Sequence, residues 1–208
     1  KGAKAQGLKV KLLQDIANQQ EAEKIANELL SAQYSVLNIE QKDFKRTPPA
    51  PFTTSTLQQT AANRLGWSAK KTMTMAQRLY EEGVITYHRT DSMSLAQTAV
   101  ERVRGYIKNE YGENFLPPTP RFYKTKAKSA QEAHEAIRPT NVSETGSSIE
   151  DNSMKKLYEL IWKRFVACQM ESARFDETTI EVIAKGKKEN YFLRTSGQIM
   201  KFAGWRKV

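Results

Sequence analysis

The chain has 208 residues, and its 33 Lys and Arg residues against 23 Asp and Glu residues give a formal net charge of +10 at pH 7. Hydrophobic residues at 39% and charged residues at 27% are typical of a globular protein, and no apolar run approaches the roughly 18 residues of a membrane span. The single cysteine, Cys168, excludes an internal disulfide. The basic excess is spread along the chain, which favours nucleic acid over a membrane surface as the partner.

The first part of the chain predicts two strands and one helix. Strands are expected over residues 8–13 and 34–44, with a helix over residues 19–31 between them. Residues 47–51 contain three prolines, which break regular structure and predict a domain boundary. Because the N-terminus has neither an initiator methionine nor a signal peptide, we expect this chain to be a piece of a longer protein.

The middle of the chain is predicted to be helical and the end to be a sheet. Ser68 is the expected N-cap of a helix that ends at Gly83, and β-branched residues 84–86 predict a strand after it. Further helices are expected over residues 55–65, 94–111 and 151–170, and the last has an apolar face formed by Met154, Leu157, Tyr158, Ile161, Phe165 and Cys168. Antiparallel strands are expected over residues 178–184, 191–195 and 198–202. The predicted fold class is therefore α+β.

The order helix, glycine-containing turn, helix, strand is typical of a winged helix, whose second helix commonly enters a DNA groove. Lys70, Lys71, Gln77 and Arg78 on that helix are candidates for phosphate or base contacts, although charged residues on a helix face are more often only solvated. A winged-helix regulator that binds duplex DNA is therefore one alternative, and a non-catalytic structural module is another.

The most informative stretch is the run from Gly83 to Ser92, which places Tyr87 two residues before Arg89. A phenol can attack a phosphodiester, and an arginine can hold the phosphate while it does so. In an extended segment these two residues lie on the same face. On a basic chain, the pair predicts DNA strand transfer.

This run resembles the active-site segment of type IA DNA topoisomerases, in which the pattern G-x-I-T-Y-x-R-T-D-S carries the nucleophile. Residues 51–59 resemble the start of the family's tyrosine-bearing domain, residues 71–80 the helix that supports the tyrosine, and residues 131–140 a segment that contacts the DNA backbone. The similarity is greatest to the bacterial topoisomerase I branch.

The resemblance implies a mechanism and a set of site residues. Tyr87 would form a 5′-phosphotyrosyl link and release a 3′-hydroxyl, so that rejoining needs no ATP and negative supercoils are relaxed. Arg89 would bind the non-bridging phosphate oxygens. DNA-binding roles are implied for Thr86, Thr90, Asp91, Gln77, Glu81, His134 and Arg138. A purely structural role is the alternative for each, and His88 is given no role.

The resemblance also implies an architecture. Residues 1–51 and 171–208 would form the β-rich arch domain of a toroidal enzyme, and residues 52–170 the mainly helical tyrosine domain, with its winged-helix-like element, inserted into that arch. The partners implied are single-stranded or underwound DNA and the Toprim and C-terminal domains of the same enzyme. We expect a monomer in the bacterial cytoplasm, associated with the nucleoid.

The sequence shows no recognisable proton acceptor for the tyrosine and no acidic Mg²⁺ cluster. A tyrosine has an unperturbed pKa of about 10, so attack at neutral pH needs a proton acceptor. The family supplies it from a Toprim domain with an acidic Mg²⁺ cluster, whereas the five aspartates here lie far apart and form no D-x-D element. We therefore expect that this chain binds no metal, that Mg²⁺ acts through the Toprim domain, and that the isolated chain is inactive.

Overall fold

In the computed structural model, which describes residues 7–123 and 135–208, the chain divides into two compact units. The first contains the described residues of Lys1–Lys45 together with Arg174–Phe202. The second contains the described residues of Arg46–Ala173 together with Ala203–Val208. Along the sequence the main part of the second unit thus lies between the two parts of the first, and Ala203–Val208 return to the second unit. Whether these units are the arch and tyrosine domains of a larger enzyme, with boundaries at residues 51 and 170, stays a prediction.

The first unit is a four-stranded sheet with one helix, which confirms the α+β class. In chain order its elements are β1 (Lys11–Leu12), α1 (Gln19–Ser31), β2 (Gln33–Arg46), β3 (Ala173–Lys185) and β4 (Asn190–Phe202). The strand order is β1-β4-β3-β2, and β4 runs antiparallel to both β1 and β3. A small core forms where Ile25 of α1 is buried with Val182 and Tyr191.

Four of the predicted strands differ from the structure. β1 comprises two residues, Lys11–Leu12, and not residues 8–13. The strands expected over residues 191–195 and 198–202 are one continuous strand, β4, because Gly197 remains paired with Thr178 of β3 instead of starting a turn. Residues 84–86 form no strand, since only an isolated bridge joins Ile85 to Pro139. The winged-helix order that required a strand there is therefore not confirmed.

The second unit is helical, and local signals set its helix ends. Its helices are α2 (Thr54–Leu65), α3 (Ala69–Glu81), α4 (Gln97–Tyr111) and α5 (Asn152–Cys168), with short 3₁₀ turns at Glu113–Phe115 and Gly204–Lys207. Ser68 caps α3 as predicted, since its side chain accepts a hydrogen bond from the Lys71 backbone N–H. Gly83 follows α3 at a φ of +73°, a conformation that glycine adopts without strain.

Helix α5 supplies the centre of this unit's core. Leu157, Tyr158, Ile161 and Phe165 on its predicted apolar face are buried, and α2, α3 and α4 pack against it. Asp151 caps α5 by accepting hydrogen bonds from the two backbone N–H groups of Ser153 and Met154. The same carboxylate pairs with Arg78 of α3 at 2.9 Å. The cap of one helix therefore also fixes the helix that leads into the Tyr87 segment.

His88 is the least expected member of this core. The residue is 3% exposed, and neither ring nitrogen has a hydrogen-bond partner among the described residues. The ring lies against those of Tyr80 and Tyr87, with centroid distances of 5.7 and 5.4 Å. Burial and the positive charge of Arg89 lower the pKa of His88, while Glu81 acts in the opposite direction. The imidazole is therefore neutral in the folded chain.

We predict that His88 makes the fold sensitive to mild acid. Because the pKa of His88 is lower in the folded chain than in the unfolded chain, the unfolded state binds its proton first as pH falls through about 6.5. The free energy of unfolding should then decrease as pH falls from 7.5 to 5, because the folded chain binds this proton more weakly than the unfolded chain. His88→Met, which cannot titrate, should show a correspondingly flatter dependence in denaturant unfolding at each pH. Identical slopes for the two proteins would contradict the prediction.

Candidate active site

The segment after α3 presents Tyr87 and Arg89 to solvent. Burial alternates along it, since Ile85, His88 and Thr90 are buried whereas Tyr87 and Arg89 are exposed. Tyr87 is 45% exposed. The buried residues hold the segment against the core and leave the phenol and the guanidinium accessible. The structure therefore brings the two predicted catalytic side chains to the surface with only His88 between them.

Thr86 fixes the backbone just before Tyr87. Its N–H donates to the carbonyl oxygen of Arg138 at 2.9 Å, and its hydroxyl donates to the carbonyl oxygen of Ala136 at 2.8 Å. The Arg138 N–H donates to the same hydroxyl oxygen at 2.9 Å. Three residues before Thr86, the Gly83 carbonyl oxygen accepts a hydrogen bond from the Thr140 hydroxyl at 2.8 Å. Residues 83–86 are thus anchored to residues 136–140.

Thr54 fixes the backbone on both sides of Arg89. Its hydroxyl donates to the His88 carbonyl oxygen at 2.8 Å and accepts from the Thr90 N–H at 2.9 Å. Its own N–H donates to the Thr90 carbonyl oxygen at 2.9 Å. The sequence did not predict this residue as part of the site. No local signal links it to residues 88–90, which lie more than 30 positions along the chain.

The next residues continue the same type of contact. The Thr90 hydroxyl accepts from the Ser92 N–H at 3.0 Å, and the Ser92 hydroxyl accepts from the Ser94 N–H at 3.1 Å. These hydroxyls satisfy backbone donors that no strand or helix satisfies. The path from Tyr87 to the start of α4 is therefore held by side chains. Thr90, which was predicted to bind DNA, has its hydroxyl occupied inside the protein.

Tyr87 belongs to a small aromatic cluster. Its ring meets that of Tyr80 edge to face at a centroid distance of 5.3 Å, and Tyr80 is also exposed. Such edge-to-face contacts restrict the ring positions without consuming the phenol oxygen. The cluster thus orients the Tyr87 side chain towards solvent.

A polar recess lies beside Arg89. It has a volume of about 490 Å³, and its lining consists of Thr54, Ser55, Gln58, Arg89, Thr90 and Asp91. Arg89 and Asp91, both predicted site residues, are therefore brought together there. The recess is adjacent to the first turn of α2 and is open to solvent.

Gln77 and Glu81 lie one turn apart on α3. The Gln77 side-chain amide donates to the Glu81 carboxylate at 2.8 Å, and both residues are exposed. Glu81 is close enough to His88 for its charge to raise the pKa of that imidazole. The structure thus places Glu81 near the Tyr87 segment, whereas the DNA-binding role of both residues stays a prediction.

Arg138 is engaged within the protein. It pairs with Glu135 at 2.7 Å and also donates to the Pro139 carbonyl oxygen at 3.0 Å. Glu135 in turn accepts from the Ala96 N–H at the start of α4, a helix end that has no side-chain cap of its own. These contacts of Arg138 stabilise residues 135–139, the stretch to which Thr86 is bonded. The predicted contact of Arg138 with DNA stays a prediction. His134 lies outside the described residues.

The described residues, 7–123 and 135–208, contain neither a cluster of metal ligands nor a membrane-spanning helix. These residues contain no group of three or more His, Cys, Asp or Glu side chains that could hold a metal ion. They therefore do not fit a Mg²⁺ site, and the expectation that Mg²⁺ acts through another domain stays a prediction. None of the helices in this part of the chain has the length and hydropathy to cross a membrane.

Known proteins resemble this chain in sequence and in fold. A family model described as DNA topoisomerase matches residues 2–208. DNA topoisomerase 1 of Vibrio cholerae is 51% identical over 193 residues, and DNA topoisomerase 1 of Escherichia coli is 50% identical over 193 residues. Each alignment covers 92% of this chain and 22% of the relative, so the chain spans about a fifth of their length.

A solved structure gives the same result. Full-length topoisomerase I from Thermotoga maritima superposes on this chain with a TM-score of 0.77 at 34% sequence identity. The superposition covers 96% of this chain and 33% of the Thermotoga chain. The sequence motifs, the sequence relatives and the fold agree. The chain belongs to the DNA topoisomerase family, as the run around Tyr87 predicted.

Proposed function

We propose that this chain is the nucleophile-bearing part of a type IA DNA topoisomerase, which cleaves and rejoins one DNA strand to relax negative supercoils. The observation that supports this most is the exposure of Tyr87 and Arg89 on a segment whose backbone is hydrogen-bonded before and after them. A nucleophile and a phosphate ligand held this way are positioned before the substrate arrives, which lowers the entropic cost of reaction.

The proposed reaction exchanges one phosphate ester for another. The Tyr87 phenol oxygen, once its proton has gone to an acceptor, attacks the phosphorus of a single-strand phosphodiester. The bond from phosphorus to the 3′ oxygen breaks, that oxygen takes up a proton, and a 5′-phosphotyrosyl link remains. Because one P–O bond replaces another, the reverse reaction rejoins the strand without ATP.

Arg89 acts on the phosphate in this scheme. Its planar guanidinium can donate two parallel hydrogen bonds to the non-bridging oxygens, where negative charge increases in the transition state. The polar recess beside it leaves room for the DNA strand on the side of Ser55 and Gln58. The contribution of such a preorganised donor to the rate is typically about 10²–10³-fold.

Proton transfer and Mg²⁺ would come from a Toprim domain of the same enzyme. In support, the described residues do not fit a metal site, and the chain spans only about a fifth of its relatives' length. The isolated chain should then bind DNA without cleaving it. Its net charge of +10 suits single-stranded or underwound DNA, with an affinity that falls as salt increases.

The two compact units would be parts of a toroidal enzyme. The sheet unit corresponds in this proposal to the β-rich arch, and the helical unit to the tyrosine domain inserted into it. The likeness to full-length topoisomerase I from Thermotoga maritima supports this assignment. The enzyme would act as a monomer in the bacterial cytoplasm. The winged-helix regulator is not favoured, because residues 84–86, directly after α3, form an isolated bridge and no strand.

Tyr87 is predicted to be the nucleophile. The test uses a chimera in which this chain replaces the 193 matching residues of the E. coli enzyme, with Mg²⁺ and a 3′-labelled single-stranded oligonucleotide. The chimera should yield DNA-linked protein on a denaturing gel, and this adduct should be absent from the Tyr87→Phe chimera. Tyr80→Phe is the matched control, because Tyr80 is a second exposed tyrosine in contact with Tyr87, and it should retain the adduct. The isolated chain should give no adduct. An adduct that survives Tyr87→Phe would refute the assignment.

Arg89 is predicted to act on the transition state more than on binding. Arg89→Lys keeps the charge but loses the planar fork, so the rate of cleavage in the chimera should fall about 10²-fold. The affinity for the oligonucleotide, measured by fluorescence anisotropy, should change less than about threefold, since lysine keeps the positive charge that attracts the phosphates. Arg102→Lys, at an exposed arginine of α4, is the control and should leave both quantities unchanged. Equal losses in rate and affinity would show that Arg89 only binds.

A further inference from the structure

Thr54 makes three hydrogen bonds to the main chain around Arg89. One links its hydroxyl to the His88 carbonyl oxygen, and the other two form a reciprocal pair with the N–H and carbonyl oxygen of Thr90. The hydroxyl therefore serves as donor and acceptor at once. As His88 precedes Arg89 and Thr90 follows it, these bonds fix both peptide groups that flank the arginine.

Thr54 is itself held by a rigid element. It is the first residue of α2, and the preceding residue, Thr53, forms a capping box with Thr56. Before the cap, Phe52 is fully buried and its carbonyl oxygen accepts from the Ile137 N–H at 2.8 Å. Residues 52–54 are thus anchored in the core of the helical unit. A hydroxyl on such a support can impose a position on residues 88–90 instead of following them.

The position of Arg89 depends on those two peptide groups. Its side chain is exposed, so little packing restrains it. The direction of its Cα–Cβ bond, which the main chain sets, therefore decides where the guanidinium can reach. A displacement of about 1 Å at a reacting group can lower a rate about 10²-fold.

We infer that Thr54 is a positioning residue for Arg89 in the phosphoryl transfer. This inference rests on the proposed function. Thr54 acts through the main chain of His88 and Thr90, and its hydroxyl is already committed to them. Serine at this position preserves both bonds, whereas valine, which has nearly the same shape, leaves the His88 carbonyl and the Thr90 N–H unpaired.

The first test examines the hydrogen bonds in the isolated chain. In amide hydrogen exchange followed by NMR, Thr54→Val should accelerate exchange of the Thr90 amide at least tenfold, and Thr54→Ser should change it less than threefold. Thr60→Val is the matched control, because Thr60 lies on the same helix and its hydroxyl donates only to the Thr56 carbonyl oxygen among its described contacts. It should leave the Thr90 amide unchanged. Unchanged exchange in Thr54→Val would overturn the inference.

The second test measures single-turnover cleavage by the chimera. Thr54→Val should lower the rate at least tenfold while the affinity for the oligonucleotide stays within threefold, and Thr54→Ser should restore the rate. A double-mutant comparison then separates positioning from a general loss of structure. In an Arg89→Ala background, Thr54→Val should have no further effect, because the residue that it positions is gone.

Three results would contradict the inference in different ways. If the chimera forms the Tyr87 adduct and Thr54→Val cleaves at the wild-type rate, the inference fails and the proposed function stands. If Thr54→Val lowers the rate by the same factor with and without Arg89, its role is structural and the inference also fails. If the chimera forms no Tyr87-dependent adduct, the proposed function fails, and the inference fails with it.

Discussion

The structure around Tyr87 depends on one constraint, which is that its segment has no regular secondary structure and must still satisfy its backbone hydrogen-bonding groups. Threonine hydroxyls meet that requirement. Thr86 bonds to residues 136 and 138 before the tyrosine, and Thr54 bonds to residues 88 and 90 around the arginine. A strand would have paired its edges with neighbouring strands. The threonine contacts instead leave one side of the segment open, as a site for DNA requires.

Local sequence signals predicted the helix ends and the apolar helix face, which depend on residues close together in the chain. Helix α3 was predicted at both ends, because Ser68 has a hydroxyl for the cap and Gly83 tolerates a positive φ. The apolar face of α5 was predicted from its spacing. The division of β4 into two strands was wrong, because Gly197 reads as a turn residue in the sequence, although its pairing with Thr178 keeps it within the strand.

The candidate site was predictable only in part. The placement of Tyr87 and Arg89 on one face was predicted from the alternation of an extended segment, whereas their exposure was not predicted. Three other features depend on contacts between distant parts of the chain, which spacing cannot reveal. They are the hydrogen bonds of Thr54, the burial of His88, and the pairing of Arg138 with Glu135. For Arg138, spacing did not reveal the ion pair with Glu135, and its predicted DNA contact stays a prediction.

The most direct test of this account is to identify the residue that carries DNA. The adduct from the chimera would be digested with protease and nuclease, and the nucleotide-linked peptide sequenced by mass spectrometry. Proteolysis separates Tyr80 from Tyr87, because cleavage after Arg78 and Arg89 releases the peptide that contains both and a further cleavage after Glu81 or Glu82 divides them. A nucleotide on Tyr87 is the predicted result. A nucleotide on Tyr80, or on any other residue, would contradict the claim that the threonine-held segment presents the nucleophile.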